Sequence, residues 1–65
     1  MSTAEALIFK GTIGTGGNYN NVPTNGYLIG YTYKAVSNVS IGSGANAIQC
    51  ENGDLVIAIA DAGEN

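Results

Sequence analysis

The chain has 65 residues, one cysteine, no histidine and a formal net charge of −3. Two lysines cannot neutralise a run of phosphates, which excludes nucleic acid and anionic membrane surfaces as partners, and Cys50 alone makes neither an intrachain disulfide nor a zinc site. A chain this short lies near the lower size for unaided folding, so association with copies of itself or with a larger assembly is the expected route to stability.

Ser, Thr, Asn and Gly supply 27 of the 65 residues, while Val, Ile and Leu supply 14. Low charge together with that aliphatic content favours an ordered domain over a disordered tract. Residues 1–5 lack the basic start and apolar stretch of a secretory signal. Six residues is the longest apolar run, far short of a membrane span, so no membrane insertion is expected. The chain therefore reads as a single small domain over 1–65, made in the cytoplasm, flexible at 1–5 and 62–65. It is either complete or a piece of something longer.

In chain order, residues 6–13 alternate in period two, with Leu7, Phe9 and Ile13 on one face and Gly11 as a gap, which predicts a first strand. Residues 14–21 form a Gly- and Asn-rich loop, and Pro23 with Asn25-Gly26 adds a turn. Tyr27-Leu28-Ile29-Gly30 is a short apolar element, a strand or a chain reversal. Residues 31–36 alternate again, placing Tyr31, Tyr33 and Ala35 together, and Val39 and Ile41 continue beyond a break at Ser37-Asn38. Gly42-Ser43-Gly44 turns the chain and residues 45–50 return it. Asn52-Gly53 lies between two apolar runs, a strong hairpin signal. Six uninterrupted apolar residues follow, Leu55-Val56-Ile57-Ala58-Ile59-Ala60, and predict a strand covered on both faces. The expected fold is all-β: one small antiparallel β-sandwich or barrel of about five short strands.

None of the candidate chemical sites is complete. Gly11, Gly14, Gly16 and Gly17 match neither the dinucleotide nor the P-loop spacing. Glu51 and Asp54 read as solvated turn carboxylates, because calcium requires six to eight oxygens and a glycosidase requires a cleft between its acids. Cys50 has no histidine base and reads as a buried structural thiol. Asn38-Val39-Ser40 is a formal glycosylation acceptor without a secretory signal. No catalytic, cofactor or metal residue is expected. Tyr19, Asn20 and Tyr27 are candidate glycan contacts, since tyrosine couples an apolar face to a polar tip, whereas Tyr31 and Tyr33 read as cross-strand packing residues.

Residues 6–14, Val22-Pro23-Thr24-Asn25-Gly26, the Tyr31-Thr32-Tyr33-Lys34-Ala35-Val36 segment and Cys50-Glu51-Asn52-Gly53-Asp54-Leu55-Val56-Ile57-Ala58 together resemble the β-rich module of bacteriophage fibre proteins, of tails and sometimes of heads. The resemblance spans about residues 6–61. It departs at Gly30-Tyr31, where such modules often carry Gly-Asp, and at Asn52, where they often carry Val. It implies a non-enzymatic virion protein, a homotrimer among other virion proteins, contacting the host surface, and it carries over no specific binding residue. A host-surface glycan is the partner expected from the tyrosines, not from the resemblance. A capsid-decoration segment and a stand-alone carbohydrate-binding module are the alternatives. One copy covers one face of the 55–60 strand more readily than two, so Leu55, Val56, Ile57 and Ile59 are the expected self-association residues.

Overall fold

A computed structural model of the chain describes residues 7–62. Five strands follow one another: β1 (Ile8–Ile13), β2 (Tyr31–Ala35), β3 (Val39–Ile41), β4 (Ile48–Cys50) and β5 (Leu55–Ile57), with one 3-10 turn at Gly44–Asn46. The described residues are thus all-β, as the alternation predicts. The expected start at Ala6, the flexible start at 1–5 and the end of the tail at 63–65 lie outside them.

The strands form two sheets, one ordered β1-β2-β5 and one pairing β3 with β4. β2 with β5 and β3 with β4 are antiparallel, but β1 runs parallel to β2. That pair needs a long crossover, which residues 14–30 supply without a helix. The loop is tied down at several points. Thr12 and Asn18 bond reciprocally, with the Asn18 N–H donating to Thr12 Oγ1 at 2.8 Å and the Thr12 N–H to Asn18 Oδ1 at 3.0 Å. Asn21 Nδ2 donates to the Ser40 carbonyl at 2.8 Å.

The alternation of β1 breaks at a bulge between Phe9 and Gly11. Phe9 pairs with Thr32, Gly11 with Tyr33 and Ile13 with Ala35, so Phe9 and Ile13 lie on opposite faces, contrary to the single face expected from the sequence. Gly11 permits this: its φ is 146°, and a Cβ there would stand 2.8 Å from Asn18 Oδ1 and 3.1 Å from the Tyr19 ring.

The core lies between the two sheets. Ile13, Tyr33 and Ala35 from one meet Val39 and Cys50 from the other, with Val22, Tyr31, Ile41 and Val56 packed at its margin. Ile13 and Ala35 are wholly buried, and Cys50 is a buried free thiol, as expected.

Three further expectations are corrected. Asn52-Gly53 does not close a hairpin, because β4 pairs with β3 and β5 with β2; the turn passes the chain from one sheet to the other. Its backbone is claimed by β2 instead: the Gly53 N–H donates to the Ala35 carbonyl at 2.7 Å and the Ala35 N–H to the Asp54 carbonyl at 2.8 Å. The second return is shorter than 45–50, since residues 44–46 wind into the 3-10 turn and only Ile48–Cys50 pairs. The 55–60 run is a strand only over Leu55–Ile57, and it is an edge strand rather than one covered on both faces. Tyr27 to Gly30 resolves as a chain reversal, with the Tyr31 N–H donating to the Leu28 carbonyl. The segment after β5 holds it: the Ile29 N–H donates to Asp61 Oδ1 and the Ala62 N–H to the Tyr27 carbonyl.

Candidate functional site

Two surfaces of this fold present residues singled out by the sequence. The first is the outer face and free edge of the β1-β2-β5 sheet. Register places Phe9, Thr32 and Ile57 in one row across the three strands, and Thr12, Lys34 and Leu55 in the next. This is the face turned away from the core, because Tyr33 and its partner Val56 occupy the other side. Phe9, Leu55 and Ile57 are all exposed, Ile57 by 40%, and Ile59 just beyond the strand is 86% exposed. Val56 is half-buried against the core. Of the expected self-association residues, Leu55, Ile57 and Ile59 therefore lie open and Val56 does not. Phe9 joins this face through the bulge, which strict alternation could not reveal.

Among the described residues the edge of β5 is open as well. The Ala35 N–H donates to the Asp54 carbonyl and the Ala58 N–H to the Tyr31 carbonyl, so the Asp54 carbonyl and the Ala58 N–H face β2. Antiparallel alternation then directs the N–H and C=O groups of Leu55 and Ile57 away from the sheet. An apolar edge with unpaired backbone groups is a template for another strand.

The second surface is a groove of about 720 Å³, within the range of about 300–1,000 Å³ common for ligand clefts. Its apolar lining comes from Tyr31, Tyr33, Ile41, Ile48, Val56 and the chain from Ile57 to Ala60; Asn21, Thr24, Tyr27 and Ser43 add amide and hydroxyl groups. Among the described residues no charged one lines it. An adjoining smaller hollow is formed by Tyr19, Asn21, Pro23 and Tyr33. Of the expected glycan contacts, Tyr27 is in the groove, Tyr19 in the adjoining hollow, and Asn20 in neither.

The tyrosines are held in distinct ways. Tyr33 is 6% exposed and meets Tyr19 edge to face, with ring centroids 6.2 Å apart and planes at 78°. Burial pushes the Tyr33 phenol above its ordinary 10, with charge repulsion from Tyr19 and Tyr31 adding to it. Lys10 Nζ sits 4.5 Å from the centre of the Tyr31 ring and so covers part of its π surface. Tyr31 and Tyr33 pack as the alternation predicts and also line the groove, a second role that periodicity does not signal.

The turn carboxylate is structurally engaged. Asp54 Oδ2 accepts from the Glu51 N–H at 2.8 Å, closing the turn on itself. Among the described residues no three of His, Cys, Asp or Glu converge as metal ligands. Comparisons with protein families, curated proteins and solved structures gave no match.

Proposed function

We propose that this chain is a non-enzymatic structural module that assembles with copies of itself, as a homotrimer within a bacteriophage fibre, and contributes to host-surface attachment. The observation that carries the self-association is the imbalance of apolar surface. Among the described residues nine large hydrophobic side chains are exposed, against five buried apolar residues. Fully burying a Leu, Ile or Phe side chain is worth about 1.5–3 kcal/mol, so covering Phe9, Leu55, Ile57 and Ile59 is a large driving force. The open β5 edge beside them supports the same reading. The fibre setting rests on the resemblance of residues 6–61, and the groove, which none of the charged residues among those described lines, fits a structural module.

Native mass spectrometry with sedimentation tests this. A multiple of the single-chain mass is expected, with three copies for the fibre reading, and Ile57→Asp should reduce it to one copy. A monodisperse single chain at micromolar concentration would refute it.

A stand-alone carbohydrate-binding module is the second reading, favoured by the two adjoining tyrosine-lined hollows. A glycan array giving signal for a single-chain species, lost on Tyr27→Ala, would bring it to the front.

A further inference from the structure

The two Asn-Gly dipeptides are matched in sequence and exposure and differ in how the glycine N–H is held, the second also lying within the turn closed by Glu51 and Asp54. Asn25, Gly26, Asn52 and Gly53 are all exposed. Both glycines take positive φ, 77° and 100°, and a Cβ on either would meet nothing within 4 Å. The Gly53 N–H donates to the Ala35 carbonyl at 2.7 Å, whereas the Gly26 N–H has no hydrogen-bond partner among the described residues.

That backbone nitrogen is the nucleophile when an asparagine loses its amide. A solvent base removes its proton, and the nitrogen attacks the Asn Cγ. A C–N bond forms, the Cγ–Nδ2 bond breaks and ammonia leaves, giving a five-membered succinimide. Water then opens the ring at either carbonyl, yielding aspartate or isoaspartate. A following glycine offers no Cβ to obstruct the attack.

We propose that Asn25 is a site of spontaneous deamidation and isoaspartate formation, and that the Gly53–Ala35 hydrogen bond protects Asn52 from the same reaction. A proton already donated to a carbonyl is harder to remove, and ring closure at Asn52 would have to turn the amide away from β2. Nothing comparable holds the Asn25 peptide. Each conversion adds a negative charge to a chain of −3, between Thr24 and Tyr27 on the rim of a groove that no charged residue among those described lines. The isoaspartate product also inserts a methylene into the main chain there. The site is thus a chemical clock on the rim of the groove.

The test is timed incubation of the native protein, in whatever assembly it forms, in mildly alkaline buffer. Digestion and fragment mass spectra then locate the amide-to-acid mass change, and isoaspartyl methyltransferase labelling identifies the rearranged product. Loss at Asn25 is expected to be about three- to tenfold faster than at Asn52, the range set by one backbone hydrogen bond. In denaturant the two rates should converge. Equal rates in the native protein, or an unchanged ratio in denaturant, would overturn the proposal. Gly26→Ala should slow loss at Asn25 alone; an unaltered Asn25 rate in that variant would overturn it as well.

Discussion

β2 and β5 lie side by side, with Thr32, Tyr33 and Lys34 opposite Ile57, Val56 and Leu55, yet they occupy different surroundings. β2 has a strand on each edge and the second sheet over one face, and it buries Thr32, Tyr33 and Ala35. β5 has one neighbour, and it leaves Leu55 and Ile57 exposed although every residue in it is apolar. The half-polar strand is the centre of the fold and the wholly apolar one is its edge. Burial within one copy follows the position of a strand in the sheet, whereas hydropathy in excess of that position measures the apolar surface that one copy leaves uncovered.

Substitutions can break this contrast from either side. The largest effect is expected at β2: Tyr33→Ala removes the aromatic centre of the core and should cost about 3–5 kcal/mol, enough to abolish cooperative unfolding in a urea titration of so small a domain. Ile57→Asp, one strand away, should change the stability of the single chain by no more than about 1 kcal/mol while removing the assembled species. If both variants unfold alike, the two strands are not different in kind.

A smaller effect is expected at the turn that delivers β5 to β2. Asp54→Ala deletes the acceptor of the Glu51 N–H and should cost about 0.5–1.5 kcal/mol. Hydrogen exchange should quicken at the Gly53 and Ala35 amides, which bind across that turn, and stay unchanged at Val36, whose N–H donates to Ile13. The smallest effect is a pH dependence. The Tyr33 phenol is raised in the folded chain, so its contribution is fully present below pH 10, the ordinary tyrosine value. Above that pH the unfolded chain releases the proton that the folded chain retains. Stability therefore falls until the folded phenol ionises too. Thermal melts across that range should show a steeper alkaline loss for the native sequence than for Tyr33→Phe.

Much of this architecture is legible in the residues. The period of two in Tyr31-Thr32-Tyr33-Lys34-Ala35 and in Val39-Ser40-Ile41, with Gly42-Ser43-Gly44 between β3 and β4, is enough to predict strands and one true hairpin. What escapes is pairing. Asn52-Gly53 has the composition of a hairpin turn, but which sheet receives β5 depends on the Ala35 backbone, seventeen residues and more away in the chain. The Lys10 bulge is invisible because it rests on Gly11 making room for Asn18 and Tyr19, a contact made across a loop. The groove is hidden for the same reason, since Tyr27, Ile41 and Val56 come from three separate segments. Local pattern reads local structure, and both candidate surfaces are products of non-local closure.

The parallel pairing of β1 with β2 has a consequence for the order in which this protein can take shape. β1 must wait for the whole 14–30 crossover before meeting its neighbour, and β2 then waits for Ile57 before its second edge is filled. Contacts of such long sequence separation make folding slow, because loop closure comes before any reward from pairing. During synthesis the central strand remains half-paired until residue 57 has left the ribosome, so β5 acts as the closing piece of its own fold before it is available to any other chain.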